Sequence, residues 1–341
     1  MKTKTNVIVI TPGMTDTTSL YRAIGPYLAL SRDEKDLSAI GVDAAKVDHT
    51  TWSTFQGFHI AVYQRPFRPM DVKTLMAAKM FGLAVVVDYD DDLFCVMRDN
   101  PVVGVYDTDA TRQALRDCCK YADVITVSTE GLKQAYIKNT GEKPEKFVVV
   151  KNGFDVRWFK QFWNFKERKK IITWRGSSTH RRDCEEVKDA FANFMRDRPD
   201  YNFFAYGWAN DPLSYDLPKE RFNSTTLPVI DYHAHIHSIK GHLGIVPLLD
   251  NTFNRGKSNI GFIELVSSGH MCIAKDLPEF ADAGAVVYSK PDEFYDLLMR
   301  YTEDVEGSMA IWKKQFYHMM NNLTLESPNK IRLELIKSLR G

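Results

Sequence analysis

The chain of 341 residues lacks any apolar run of the roughly 18 residues that a membrane-spanning helix requires, so membrane insertion is not expected. Residues 1–10 hold Lys2, Lys4 and one short apolar strand. They lack the longer apolar stretch and small-residue cleavage site of a secretory signal, and a soluble cytoplasmic protein is expected. Cysteine is scarce: Cys95, Cys118, Cys119, Cys184 and Cys272 are odd in number, and none has metal-ligand spacing. Adjacent Cys118 and Cys119 are poorly placed to pair, so free thiols in a reducing compartment are expected. An excess of one charge is also missing. Lysine and arginine total 45 against 44 acidic residues, a net charge of +1, so the molecule as a whole has no bias toward polyanions. No Gly-x-Gly-x-x-Gly follows the first apolar strand, which argues against an ordinary NAD dehydrogenase. No Gly-x-Ser-x-Gly occurs, which argues against a serine-hydrolase elbow. Internal repeats and low-complexity tracts are absent as well.

What the sequence has is alternation. Short apolar runs at 6–10, 58–63, 83–88, 124–127 and 147–150 read as strands, with helical patterns at 19–30, 70–81, 108–121 and 130–139. The pattern restarts after the turn-forming cluster Asn152-Gly153-Phe154-Asp155. Strands are expected at 171–174, 202–206, 243–246, 271–274 and 285–288, and helices at 182–196, 231–239 and 259–268. Helices at 291–301, 308–321 and 328–339 close the chain. Strands alternating with helices predict α/β domains with parallel sheets covered on both faces. In such sheets ligands gather beyond the carboxyl ends of the strands, so residues directly after strands are the ones to inspect.

The segment Arg255-Gly256-Lys257-Ser258-Asn259-Ile260 follows the 243–246 strand and opens a helix. A helix start offers unpaired N–H groups and partial positive charge to an anion. Ser258 is placed to cap that helix, and Lys257 adds a full charge. Glu264 lies nearly two turns inside, where a carboxylate suits a sugar diol such as ribose. A second anchor follows the 171–174 strand, in Arg175-Gly176-Ser177-Ser178-Thr179-His180. There Arg175 leaves the strand end, and Gly176 lets the backbone approach a ligand closely. In the first half, the 83–88 strand runs into Asp88-Tyr89-Asp90-Asp91-Asp92. Crowded carboxylates raise one another's pKa and can hold a divalent cation or serve as a base. A plain capped helix and a solvated acidic turn are the alternative readings of these segments.

These residues carry a resemblance. Lys257, Glu264, Ser268-Gly269 and the strand at 271–274 resemble the donor motif of the retaining, family 4-like GT-B glycosyltransferases. A wider set is similar to the glycosyltransferases common in tailed phages: Tyr21-Arg22, Gln64-Arg65-Pro66, the acidic turn, Ser128-Thr129, Asn152-Gly153, Trp174-Arg175-Gly176-Ser177 with His180, and Phe253-Asn254 with Lys257-Ser258. The resemblance spans most of the chain in order. It implies a GT-B fold of two Rossmann-like doubly wound domains facing a cleft. Residues 1–153 would form the acceptor-side domain, 154–310 the nucleotide-sugar-binding domain, and 311–341 C-terminal helices crossing back to the first.

The resemblance further implies transfer from a nucleotide-sugar, a UDP-sugar by expectation, with retention and without a cofactor or metal. Asp90, Asp91, Arg175 and Lys257 would be catalytic, with Lys257 on the diphosphate. Gly176, Ser177, His180, Ser258, Asn259, Ile260 and Glu264 would bind the donor, Glu264 through the ribose hydroxyls. Tyr21, Arg22, Arg65, Asp88 and Asp92 would lie on the acceptor side. The chain departs from the family at Gly256, where a glutamate that touches the transferred sugar often stands.

The acceptor implied by the phage-type resemblance is a hydroxymethylated cytosine in DNA, modified with glucose or arabinose. Arg157, Lys160, Lys166, Arg168, Lys169, Lys170, Arg175, Arg181 and Arg182 crowd one stretch against the single acid Glu167, among Trp158, Phe159, Phe162, Trp163, Phe165 and Trp174. With Arg65 and Arg68 they are candidates for phosphate contact. Residues 1–155, by contrast, carry 19 basic and 20 acidic side chains. A cell-surface glycan or small acceptor, and a catalytically silent nucleotide- or DNA-binding module, are the other readings. His233, His235 and His237 alternate, but residues two apart on a helix do not share a face, so a structural or exposed cluster is expected rather than a zinc site.

Overall fold

A computed structural model describes residues 4–47, 50, 52–96, 100–158, 168–207, 212–227 and 229–340. The chain divides into two compact units. The first comprises residues 1–153, 256–258 and 325–341; the second comprises 154–255 and 259–324. Residues 311–341, expected as one C-terminal group, therefore divide between the units at 324/325.

The sheet of the first unit has six strands: β1 (Thr5–Thr11), β2 (Leu37–Asp43), β3 (Ile60–Gln64), β4 (Ala84–Tyr89), β5 (Val124–Val127) and β6 (Phe147–Val149). Their order is β2-β1-β3-β4-β5-β6, and every pairing is parallel. Successive strand side chains point to opposite faces. Val7 and Val9 of β1 accordingly pack under Ala23, Tyr27, Leu30 and Ile336. Ile8 and Ile10 pack on the other face with Leu75, Leu115, Leu132 and Tyr136. Helices thus cover both faces, and near-continuous apolar strands follow from double burial. Asn329 Nδ2 donates to Pro26 O at 3.2 Å, which fixes the helix Glu326–Arg340 within this unit.

The second unit repeats the design with β7 (Lys169–Arg175), β8 (Asn202–Tyr206), β9 (Phe222–Thr225), β10 (Gly241–Val246), β11 (Met271–Lys275) and β12 (Val286–Tyr288). Their order is β12-β11-β10-β7-β8-β9, again all parallel. The helix Arg181–Asp197 turns Val187, Phe191 and Phe194 into the core, and the helix Ile260–Ser267 is buried from Gly261 to Ser267. Gln315 of the helix Val305–Asn322 accepts from Cys272 N and donates to Cys272 O, both at 2.9 Å. That amide closes the backbone pair of a sheet strand, so residues up to 324 belong with this sheet for a physical reason.

Each sheet reverses its direction of growth once. In the first sheet the reversal lies between β1 and β3, in the second between β7 and β10. At such switch points the loops leaving neighbouring strands diverge to opposite faces and leave room for a ligand. Among the described residues, no helix is long and apolar enough to cross a membrane.

Candidate functional site

In the second unit, the loops beside the switch point carry most of the expected donor residues. Arg175 ends β7, and its Nε donates to Glu264 in the helix Ile260–Ser267. Glu264 is fully buried, whereas the Arg175 side chain keeps 19% of its surface exposed. These two residues, 89 positions apart, are brought together as an ion pair. Gly176 follows. Its N–H donates to Tyr206 O at 2.9 Å, and a Cβ there would stand 2.5 Å from the Trp174 ring. Gly207 at the end of β8 has φ +108°, and a Cβ on it would lie 2.2 Å from Gly176 O. Only glycine allows this approach of two loop backbones.

Ser177 is exposed, with its hydroxyl 2.7 Å from that of Thr179. His180 packs against Gly176, and its Nδ1 lies 2.8 Å from Asp183 Oδ2. Asp183 is buried, and its other oxygen accepts from Leu249 N and Asn254 Nδ2, both at 2.8 Å. Asn259 is buried at the N-cap of the helix Ile260–Ser267 and makes no side-chain capping bond; Ile260 is half-buried.

The expectation that Ser258 caps this helix is corrected. Ser258 belongs to the first unit, where its hydroxyl accepts from Asn152 Nδ2 at 2.8 Å. Thr129, which caps the helix Glu130–Thr140, also donates to Gly256 O at 2.9 Å. Lys257 Nζ stands 3.6 Å from Asp91 Oδ1. Thr129 and Asn152 enter the sequence motifs but not the expected site; the structure gives both a hold on the 256–258 segment.

The acidic turn after β4 is built rather than loose. Ser128 Oγ donates to Asp90 O and Tyr136 Oη to Asp91 O, each at 3.2 Å, while Tyr136 stacks on Tyr89 with ring centroids 4.5 Å apart. Arg65, directly after β3, grips the turn. Its Nε and Nη2 reach the two oxygens of Asp90, and Nη2 also donates to Asp91 Oδ2 at 2.5 Å. Arg65 holds a left-handed φ of +50°, rare for a residue with a Cβ, and such strain concentrates at sites where surroundings over-determine the backbone. Burial pushes the Asp90 carboxyl up to about 6, against the pull of Arg65. Burial also raises the Asp92 carboxyl, and its Oδ1 accepts from Phe94 N at 3.0 Å within the turn.

The other residues expected on the acceptor side lie inside the first unit. Arg22 is 1% exposed, turned inward from the π-helical turn Leu20–Ile24 together with buried Tyr21. Its Nε and Nη2 meet both oxygens of Asp88 at 3.0 and 2.5 Å, and Nη1 reaches Val150 O and Asn152 Oδ1. Thr126 Oγ1 also donates to Asp88, at 2.6 Å. The pair is an internal brace: a bidentate guanidinium and a carboxylate, each with a further partner, in the geometry that tolerates burial. Asp92 likewise closes its own turn.

The expected phosphate-facing stretch changes too. Lys160, Lys166, Phe159, Phe162, Trp163 and Phe165 lie outside the described residues, as does the side chain of Trp158. Arg157 pairs with Asp155, Lys170 with Asp200 and Arg181 with Glu185. Arg68 pairs with Asp71, and Trp174 is buried. His235 sits against Phe204 and Tyr206, 5.8 Å from each ring centroid. Among the described residues, no group of His, Cys, Asp and Glu is arranged to hold a metal ion.

No family model matches the chain, and no curated protein matches it. Solved structures do. HepE from Anabaena, solved with UDP-glucose, is 11% identical over 97% of this chain and 99% of its own, with a TM-score of 0.68. A UDP-forming α,α-trehalose-phosphate synthase from Burkholderia xenovorans is 10% identical over 99% and 100%, with a TM-score of 0.65. A protein designated a UDP-N-acetylglucosamine 2-epimerase, from Listeria monocytogenes, is 12% identical over 98% and 96%, with a TM-score of 0.61. At such identities the likeness is one of fold. Two parallel six-stranded sheets, each flanked by helices and matched over nearly their whole length, give this chain the two-domain Rossmann-like architecture of the GT-B fold.

Proposed function

We propose that the chain is a glycosyltransferase that moves a sugar from a UDP-sugar to an acceptor hydroxyl, with retention. The observation that carries this reading is the Arg175–Glu264 pair at the switch point of the second sheet, in a chain with the fold of HepE, which was solved with UDP-glucose. The leaving diphosphate gathers negative charge as the glycosidic bond breaks, and preorganised cations are the main catalytic resource for that step. Arg175 and Lys257 supply them. Gly176, Ser177, His180, Ser258, Asn259 and Ile260 shape the donor site, and Glu264 accepts from the ribose hydroxyls. Asp90 or Asp91 takes the acceptor-side role, with Arg65 holding both carboxylates in place. No cofactor or metal enters this scheme.

The acceptor we infer is a hydroxymethylated cytosine in DNA, and the sugar glucose or arabinose. The support is the ordered set of motifs from Tyr21 to Ser258 that resembles phage glycosyltransferases. A small sugar acceptor is the second reading, favoured by the likeness to a synthase of trehalose-phosphate. The test is transfer itself: the full chain is given UDP-glucose and UDP-arabinose with hydroxymethylated DNA, plain DNA or free sugars, and products are read by mass spectrometry. A glycosylated nucleoside from hydroxymethylated DNA alone supports the DNA acceptor. Transfer only to a free sugar shifts the acceptor. Altered free UDP-sugar without transfer marks an epimerase on the same fold, and binding without turnover marks a silent module.

A further inference from the structure

Two motif segments of the second unit, 174–180 and 253–254, are far apart in sequence, and the proposed donor residues account neither for Asn254 nor for Asp183, three residues after His180. They meet at one carboxylate. Asp183 opens the helix Arg181–Asp197 after β7, and Leu249 and Asn254 lie in the connection after β10. Those are the two connections that flank the switch point of this sheet.

The hydrogen bonding fixes which atoms donate. Asp183 Oδ1 accepts from Leu249 N and from Asn254 Nδ2, both at 2.8 Å. The same Nδ2 donates to Leu249 O at 2.9 Å, so both amide partners are acceptors and the orientation of Asn254 is settled. Asn254 N donates in turn to Asn251 Oδ1 at 2.8 Å. Asp183 Oδ1 is thus engaged by two N–H groups, and Oδ2 is left facing His180 Nδ1 at 2.8 Å; with Asp183 as a carboxylate, that ring nitrogen is the donor. The ring is packed against Gly176, where a Cβ would stand 3.2 Å from His180 Cδ2. Carboxylate and glycine together set both the tautomer and the plane of the imidazole.

We propose that Asp183 is a positioning residue of a nucleoside-diphosphate site. It holds His180 with Nδ1 as donor, so that Nε2 is the atom directed to the diphosphate, and it anchors residues 249–254 beside it. Asn254 is the second member of this brace. The proposal rests on the reading that the second unit binds a nucleotide-sugar. An asparagine at 183 keeps a carbonyl oxygen for Leu249 and Asn254 but turns an NH₂ toward His180, which moves the imidazole proton to Nε2. Loss of the tautomer with geometry intact is known to be costly where a carboxylate orients a functional histidine.

The test uses the full chain and UDP as the probe. Calorimetric titration compares wild type, Asp183→Asn, His180→Gln and the double variant, with thermal melting as the folding control. Imidazole ¹⁵N shifts report the His180 tautomer. The expected result is UDP affinity lowered about tenfold or more by either single change, with the double variant no weaker than His180→Gln, because the two act as one unit. The ¹⁵N signature is expected to pass from Nδ1–H to Nε2–H in Asp183→Asn. UDP affinity unchanged in a folded Asp183→Asn, additive losses in the double variant, or an unchanged tautomer would each overturn the proposal. Failure of wild type to bind UDP or any nucleoside diphosphate would instead overturn the nucleotide-sugar reading, and the proposal with it.

Discussion

Arg22 and Asp90 carry charge in the first unit in different settings. Arg22 and Asp88 are buried against each other with every remaining tie directed to the backbone or to Thr126 and Asn152. Removing one member leaves the other charged and unmatched, which costs about 3–5 kcal/mol. Arg22→Met is therefore expected to lower the urea midpoint of unfolding sharply, and a variant with wild-type stability would contradict the brace. Asp90 is buried too, with 10% of its side chain exposed, and is gripped by Arg65; burial pushes its carboxyl up to about 6. A base works only when ionised, so kcat/KM is expected to rise with pH through about 6. Asp90→Asn is expected to remove that limb and lower kcat by roughly 10²–10⁴. Retention of the limb in Asp90→Asn would assign it to another group. The same shift makes folding depend on pH with a definite sign. Between the ordinary 3.8 and about 6 the folded state binds the proton more tightly than the unfolded one, so the contribution of Asp90 to stability falls as pH rises through that window.

The elements show what a pattern can and cannot carry. Apolar runs buried on both faces were readable, and β5 and β8 occur at the expected 124–127 and 202–206. The two strands without an apolar run in the sequence are β2 and β9, both at sheet edges. β9 is Phe-Asn-Ser-Thr with its middle residues exposed, and β2 has its only fully buried positions at Leu37 and Ala39. An edge strand exposed to water needs no apolar run, so it leaves no such signal. The loop ends are held by shape instead. Gly207 at φ +108° admits no Cβ against Gly176 O, and Gly207 N donates to Thr225 O at 2.8 Å. Gly207→Ala is expected to destabilise the second unit by about 1–3 kcal/mol, measured by denaturant titration. A neutral effect would show that the β7 and β8 loops are free to separate.

For the whole molecule, the alternation of strands and helices was enough to predict two doubly wound domains, because parallel sheets need helices on both faces. The arrangement at each switch point was not available in that way. Strand order decides which loops become neighbours, and only the order β10-β7 brings Asn254 to Asp183 and Arg175 to Glu264. Motif resemblance marked Arg175, Lys257 and Glu264, yet gave no hint that Arg22 and Asp88 are internal, since a buried ion pair and an exposed one have the same letters. Nor did it show that residues 256–258 count with the first unit, held by Thr129 and Asn152. Arg175 and Lys257 are proposed to neutralise the diphosphate of a UDP-sugar during transfer. The most direct measurement of that role is acceptor-dependent release of UDP from UDP-glucose or UDP-arabinose by the wild-type chain, Arg175→Ala and Lys257→Ala. Turnover by the wild type and losses of about 10²–10³ in kcat for each variant are expected. Wild-type turnover in a folded Lys257→Ala or Arg175→Ala would contradict that role, as would a wild-type chain that releases no UDP with any acceptor.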